Sequence, residues 1–273
     1  MPSPGAGSWR LWHDARVIAL RAALFGLVGL AFGSFLTVVT HRVPRGESIV
    51  APRSRCPSCG AQLRNLDNIP LLSWLLLRGR CRACGARISP VYPLTELLTG
   101  VLFVGAALEF DSIWAAALIA PFLGLMVALS IIDLRHRIIP NRIVYPSLAA
   151  FGAYIGMVAL AGGGLDAARA GIGMLAYGGS LLLVAIVAPA GMGMGDVKLA
   201  ALIGLVLGAL GLRYVAVAAG AGILLGGVGA IAALVAGASR KQAIPFGPFL
   251  AAGALVAAFL APQIATVYLR HFT

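Results

Sequence analysis

The chain has 273 residues, of which 60% are hydrophobic and only 11% are charged. Soluble globular proteins are about half apolar and about a quarter charged, so this composition excludes a soluble enzyme and a disordered protein. The formal net charge of +12 would suit nucleic acid. The arginines, however, crowd into loops between apolar runs, as they do in the cytoplasmic loops of membrane proteins. We therefore expect an all-α polytopic membrane protein that binds the lipid bilayer and no nucleic acid.

Long apolar runs predict about eight transmembrane helices, because a span needs roughly 20 mostly apolar residues. The first run is 17–40, and a polar insert at 41–91 separates it from the rest. The later runs are 92–110, 113–133, 143–162, 170–190, 197–212, 214–237 and 245–268. The run at 197–212 is the shortest and contains glycine. The sequence thus predicts an N-terminal region with the first span at 1–40, the insert at 41–91 and a seven-span core at 92–273.

The distribution of arginines predicts how these spans are oriented. The insert carries nine arginines, and the positive-inside rule places such a segment in the cytoplasm. Alternation then places loops near 135–142, 191–198 and 239–241 on the same side. Arg10, Arg16 and Arg21 favour the opposite orientation, but they are outnumbered. We expect both chain ends to lie outside.

All four cysteines lie in the insert, in the segments Cys56-Pro57-Ser58-Cys59 and Cys81-Arg82-Ala83-Cys84, and a glycine follows each segment. Two such pairs, separated by a loop slightly longer than usual, are typical of a four-thiolate zinc site. Four cysteines leave no coordination position for water, so the zinc would be structural. Disulfides and free thiols are the alternatives, and a cytoplasmic location disfavours disulfides.

Two further features of this region have no single interpretation. An apolar segment at 69–77, which contains Trp74, is too short to cross a membrane. Its tryptophan and flanking arginines favour contact with the membrane interface, although a small core element of the insert would look similar. Glu96 places a costly acid inside a span, which indicates a role in helix packing or in the functional site.

Two aspartates stand at the ends of predicted spans. Asp133 closes the third span and Asp196 opens the sixth, so alternation puts both at the cytoplasmic face. Two carboxylates at one depth can share a proton and activate water for attack on a peptide bond, as in aspartic proteases. The alternatives are a surface salt bridge from Asp133 to Arg135 or Arg137, and an N-cap role for Asp196.

The residues around Asp196 form a candidate substrate loop. Gly193 and Gly195 lack side chains, so the backbone of an extended substrate could approach there. Lys198 is two residues beyond Asp196 and therefore lies on a different face of the helix. We interpret Lys198 first as an anchor at the level of the lipid phosphates.

The same residues permit two functions other than proteolysis. A proton-coupled transporter could use membrane carboxylates as a relay, but both aspartates lie near one face and no inverted repeat of broken helices is visible. A scaffold protein with a zinc-bound interaction module is the other alternative. Such a scaffold would tolerate Asp→Asn changes that a protease would not.

Taken together, the motifs resemble those of the type IV prepilin peptidases, which are membrane aspartic proteases of the GxGD type. The resemblance covers nearly the whole chain. The matching segments are 33–36, 41–44, 53–59, 67–74, 78–81, 92–96, 133–134, 139–140, 193–198 and 244–249. One departure is Asn141, which follows Pro140 where many members carry an acid.

The resemblance implies a catalytic pair formed by Asp133 and Asp196 and a bacterial inner-membrane location. It implies cleavage of type IV prepilins or type II secretion pseudopilins after a glycine, at the cytoplasmic face. It also implies N-methylation of the new N-terminus from S-adenosylmethionine, with the zinc module associated with methyl transfer. No glycine-rich nucleotide-binding motif is visible in the sequence. A peptidase without methyltransferase activity is the narrower alternative, and the intact cysteine set argues against it.

Overall fold

The computed structural model describes residues 8–189, 192–237 and 245–272, and these residues form an all-helical protein. Its helices are α1 (Ser8–Arg42), α2 (Leu72–Leu76), α3 (Val91–Glu109), α4 (Ile113–His136), α5 (Asn141–Leu160), α6 (Ala167–Val187), α7 (Met194–Gly208), α8 (Leu212–Val235) and α9 (Gly247–Phe272). Within the described residues, β-structure is limited to two isolated bridges in the cysteine insert. The all-α prediction is therefore confirmed.

Eight long helices occupy the eight predicted apolar runs, and seven of them are long and apolar enough to cross a membrane. The exception is α7, with 15 residues, which at 1.5 Å per residue covers only about 22 Å of a hydrocarbon core of about 30 Å. The prediction of a full span at 197–212 is therefore corrected to a short internal helix. The predicted loop at 239–241 and the end of the run at residue 190 lie outside the described residues.

The chain divides into two compact units. The first combines the residues up to Thr37 with Arg53–Gly124, and therefore contains most of α1, the part of the insert that carries the four cysteines, α3 and half of α4. The second combines Val38–Pro52 with the residues from Leu125 onward. The three-part division predicted from the sequence stays a prediction.

In the first unit, aromatic residues pack α1 against α3. The ring centroids of Phe32 and Phe103 are 5.6 Å apart. Nearer the other end of α3, the Arg21 guanidinium donates to the backbone carbonyl oxygens of Phe110 and Asp111. A cation favours the carbonyl-rich C-terminus of a helix. Arg21, one of the arginines that opposed the predicted orientation, thus has a structural role at the end of α3.

In the second unit, α7 is the central helix. Ten of its residues are buried, running from Val197 to Gly208. Its closest neighbour is α6, where Gly173 and Gly204 face each other across the helix pair. A Cβ on Gly204 would lie 2.2 Å from the backbone carbonyl oxygen of Gly173. Small residues at such crossings let helix backbones approach closely inside a membrane protein.

This crossing predicts a large loss of stability in Gly204→Ala, because the added methyl group would have to displace the backbone of α6. We expect the free energy of unfolding to fall by about 2 kcal/mol or more. The matched control is Gly171→Ala on α6, where an added Cβ meets no atom within 4 Å. That control should be neutral or slightly stabilising, by up to about 1 kcal/mol. Calorimetry in detergent measures both, and equal unfolding temperatures would contradict the prediction.

Candidate active site and metal centre

Asp133 lies in the last turn of α4, on a side of the helix that faces the protein. Asp133 is only 5% exposed. Its Oδ2 accepts a hydrogen bond of 3.0 Å from the backbone N–H of Gly247, at the start of α9. The helix ends three residues later because Arg137 adopts a left-handed conformation, with φ at 55°. Within the described part of the chain, the ion pairs do not include Asp133. The surface salt bridge considered from the sequence is therefore not observed.

Asp196 lies in the first turn of α7 and is partly buried. The N-cap of that helix is Gly193, whose carbonyl oxygen accepts a 3.1 Å hydrogen bond from the Asp196 N–H. The N-cap interpretation of Asp196 is therefore wrong, because the residue stands three positions inside the helix. A Cβ on Gly193 would lie 3.5 Å from Asp196 Oδ2. Glycine at this position keeps one side of the carboxylate uncovered.

The two acids belong to the same compact unit, and Ile139 links the segments that carry them. Ile139 follows α4 in the chain. A Cβ on Gly195 would lie 3.1 Å from the Cβ of Ile139, and one on Gly247 would lie 3.3 Å from its Cδ1. The end of α4 and the beginnings of α7 and α9 thus meet around one side chain. The segments that carry the two carboxylates therefore lie side by side.

Lys198 contacts α5 rather than either acid. Its Nζ donates a 2.9 Å hydrogen bond to Oδ1 of Asn141 and lies 5.3 Å from the centroid of the Tyr145 ring. These contacts tie the first turn of α7 to the first turn of α5. Asn141, the departure from the family pattern, is therefore the partner of Lys198.

Gly247 is the residue that the choice of site residues from the sequence missed. A Cβ on Gly247 would lie 2.6 Å from Asp133 Oδ2, so the close approach of its N–H depends on glycine. A signal was present in the sequence. Glycine followed by Pro248 at the start of an apolar run indicates a helix N-terminus, and helix N-termini favour carboxylates.

The cysteine insert contains two knuckles of the same construction. In each, the N–H of the glycine donates 2.9 Å back to the carbonyl oxygen of the first cysteine: Gly60 to Cys56, and Gly85 to Cys81. Both glycines have φ near 70°, at 71° and 70°. The matching geometry presents two pairs of sulfur atoms in the same way.

The four Sγ atoms of Cys56, Cys59, Cys81 and Cys84 lie within 4.8 Å of one another, and those of Cys56 and Cys84 are 3.9 Å apart. Tetrahedral zinc with bonds of about 2.3 Å separates its sulfur ligands by about 3.8 Å. A disulfide would require about 2.05 Å, so that alternative is not observed. The backbone N–H groups of Cys59 and Ser58 lower the pKa of Cys56 to about 6. The separations of the four sulfur atoms therefore suit binding of a single metal ion.

An ion pair joins the loop between the knuckles to the second knuckle. Arg82 Nη2 lies 2.8 Å from Oδ1 of Asp67, and its Nε also donates to that oxygen at 3.0 Å. Hydrogen bonding from the Arg82 guanidinium holds the pKa of Asp67 below its usual range. The pair helps to fix the loop that precedes α2.

Comparison with known proteins gives the same picture for both halves of the chain. The family described as "Bacterial Peptidase A24 N-terminal domain" matches residues 27–110. The "Type IV leader peptidase family" matches residues 120–269, which include both aspartates. No solved structure matches the chain.

Several curated proteins are similar to this chain, and two of the three described here match over nearly their whole length. A protein of Bacillus subtilis strain 168 is 36% identical over 89% of this chain and 96% of its own length. One of Aeromonas hydrophila is 35% identical over 92% and 94%. One of Myxococcus xanthus is 49% identical over 48% of this chain and 39% of its own length. All three are named prepilin leader peptidase/N-methyltransferase. The chain is a multi-pass membrane protein that belongs to the type IV leader peptidase family.

Proposed function

We propose that this protein is a membrane aspartic endopeptidase that removes the basic leader of type IV prepilins or pseudopilins after a glycine, and then N-methylates the new N-terminal residue. The observation that carries the proposal is the convergence of Asp133 and Asp196 in one compact unit. Asp133 is buried with a backbone N–H on one of its oxygens, whereas Asp196 is partly open. The names of the relatives support both activities.

The proposed hydrolysis needs one ionised and one protonated carboxyl group. The ionised aspartate takes a proton from water as the water oxygen bonds to the scissile carbonyl carbon. The protonated aspartate donates to the carbonyl oxygen as negative charge develops there. When the carbon–nitrogen bond breaks, the aspartate that took the proton from water passes it to the leaving nitrogen, which departs as the amine. The other aspartate recovers a proton from the tetrahedral intermediate as the new carboxyl group forms. Gly193 would leave room for the extended backbone of the substrate beside Asp196, whereas the missing side chain at Gly195 lets Ile139 pack close to the start of α7.

We place this reaction at the cytoplasmic face of the bacterial inner membrane. The nine arginines of the insert support that orientation. A prepilin would then keep its basic leader in the cytoplasm and its apolar segment in the bilayer. Water is available at this depth, unlike at the bilayer centre.

S-adenosylmethionine, when bound, would supply the methyl group for the second activity. The acceptor is the primary amine that hydrolysis releases, so methylation must follow cleavage. The test is to incubate the purified protein with a prepilin in detergent, with and without the methyl donor. Mass spectrometry should find the shortened pilin without the donor, and a product heavier by one methylene group with it. An intact prepilin under both conditions would overturn the proposal, and a cleaved pilin that stays unmethylated would leave only the peptidase.

We propose that the cysteine cluster holds one structural zinc ion. The sulfur separations suit tetrahedral zinc, and four thiolates leave no open position for catalysis. The ion would join the two knuckles through their four cysteines, and so stabilise the insert at 41–91. We retain from the sequence the proposal that this insert serves the methyl-transfer half of the protein and that 92–273 is the peptidase core.

Cys56→Ser should release the metal, because serine oxygen is a poor replacement for a thiolate on zinc. Elemental analysis should find about one zinc per chain in the unaltered protein and less than about a tenth of that in the variant. Ala83→Ser, an exposed change between two of the ligands, is the matched control and should keep the metal. Equal zinc contents in both variants would contradict the assignment.

A further inference from the structure

The loop between the two knuckles exposes a cluster of large apolar side chains, which we call the apolar patch. It consists of Leu66, Ile69, Leu72, Leu75 and Leu76, of which Leu66 is 74% exposed and Leu76 72%. These residues occupy a short stretch of a module that is otherwise rich in arginine. An exposed apolar cluster with a polar rim marks a surface that contacts another molecule or a membrane.

Internal hydrogen bonds hold the apolar patch in shape. The buried Ser73 donates through its Oγ to the Leu66 carbonyl oxygen at 2.7 Å and accepts from the Ile69 N–H at 2.9 Å. Leu71 has a φ of 59°, a conformation that costs free energy in a residue with a side chain. The turn before α2 and α2 itself therefore form one preformed surface.

Glu96 ties the apolar patch to a membrane helix. Glu96 is buried in the second turn of α3. Its Oε2 accepts a 2.9 Å hydrogen bond from the backbone N–H of Leu71, the residue with the positive φ. This contact explains the acid that the sequence placed inside a span. It also fixes the start of α2 beside the first two turns of α3.

The exposed face of α3 indicates how deep in the membrane the contact between Glu96 and Leu71 lies. Leu94, Leu97, Leu98 and Val101 are all exposed and follow the spacing of one helical face. On a helix of spanning length, such a face meets lipid. Leu94 precedes Glu96 by two residues, which is about 3 Å along the helix axis. The apolar patch thus begins at the level where α3 first presents leucine to lipid.

A basic cleft lies beside the apolar patch. Its volume is about 350 Å³, and it is lined by Arg53, Ser54, Leu63, Arg64, Asn65 and Asn68. Arg53 Nη2 donates to Oδ1 of Asn65 at 2.5 Å, which orders one wall. Guanidinium groups bind phosphate oxygens in a planar, bidentate manner. The cleft is adjacent in the chain to Leu66, so the charged and apolar surfaces are continuous.

We propose that the apolar patch inserts into the leaflet beside the cysteine module and that the basic cleft holds the phosphate of an anionic phospholipid. The shared depth with the lipid-facing stripe of α3 favours lipid over a protein partner. The leucines of the apolar patch would face the acyl chains, and the arginines and amides of the neighbouring cleft would face the headgroup. The proposal does not depend on the peptidase activity.

Depth is tested with the full-length protein in lipid nanodiscs. A fluorescent amino acid is encoded at position 76 or, as the matched control, at the exposed Gln62 in the first knuckle. Lipids with a nitroxide on the acyl chain near the headgroup should remove most of the fluorescence at 76 and little at 62. Equal quenching at the two positions would overturn the proposal. Protection from the nitroxide together with cross-links between two copies would also overturn it, since the patch would then be a protein interface.

Headgroup recognition is tested by native mass spectrometry of bound lipid. The unaltered protein should prefer phosphatidylglycerol to phosphatidylcholine, and Arg53→Gln/Arg64→Gln should reduce that preference by about fivefold or more. Arg55→Gln/Arg87→Gln removes the same charge from exposed positions outside the cleft and should keep the preference. An equal loss in both variants would reduce the effect to net charge and overturn the proposal. Displacement of phosphatidylglycerol by inorganic phosphate alone would also overturn it, because the cleft would then bind a free anion.

Discussion

Asp133→Asn and Asp196→Asn should each reduce prepilin cleavage by at least about a thousandfold. An asparagine side chain keeps the shape of aspartate but can neither take a proton from water nor donate a carboxylic proton. Because the two acids act on one water molecule as a unit, the double variant should be no slower than the slower single variant. Cleavage is measured at equal amounts of folded protein.

The matched control for these variants is Asp166→Asn. Asp166 caps α6 by accepting the N–H of Arg169 at 2.9 Å, and asparagine caps a helix as well as aspartate does. This variant tests the same chemical change in the same compact unit, away from the proposed pair, and should cleave normally. Retention of cleavage by either Asp133→Asn or Asp196→Asn would contradict the proposed catalytic pair.

Gly247→Ala should lower kcat by about a hundredfold, since a displacement of about 1 Å at a reacting group can cost that much. The new Cβ would lie 2.6 Å from Asp133 Oδ2, far inside contact distance. The carboxylate would have to turn away from the N–H that orients it. Gly247 is thus a positioning residue, which acts on the reaction only through Asp133.

Separate measurement of kcat and KM distinguishes this role from general damage to the fold. Substrate binding along the prepilin should change little, so KM should stay within about threefold while kcat falls. Gly227→Ala on α8 is the matched control, since an added Cβ there meets no atom within 4 Å. A normal kcat in Gly247→Ala, or an equal fall in the control, would contradict the positioning role.

Local patterns in the sequence were sufficient to predict the apolar helices and the cysteine cluster. Hydrophobic runs report burial in lipid directly, and the two cysteine pairs are short-range motifs. The role of Gly247 could not be obtained in this way, because its partner Asp133 is 114 residues away and the contact depends on a backbone N–H. The run at 197–212 was counted as a span because it is as apolar as the others, although it is the shortest of them. A helix surrounded by other helices is as apolar as one that faces lipid, so composition alone does not distinguish α7, with its 15 residues, from a full span.

Glu96 and Lys198 show how a charged residue can be located and still be misjudged. The cost of placing an acid in a span indicated that Glu96 has a role. Its partner is the backbone N–H of Leu71, which a hydropathy pattern cannot predict. Lys198 was interpreted as an anchor at lipid phosphate, whereas its partner is Asn141 on α5. In both cases the identity of the residue indicated that a partner exists, and only the folded chain supplied it.

The short α7 has a consequence for the order in which this protein is built. A ribosome releases α5 and α6 before α7, but α8 and α9, which complete its surroundings, emerge later. A nascent chain that stops after Gly208 would hold an apolar helix too short to rest across the bilayer by itself. The Asp133 carboxylate therefore gains its hydrogen bond from the Gly247 N–H only after α9 has been synthesised. The candidate site is thus completed by a helix whose first residue lies 114 residues beyond Asp133 in the chain.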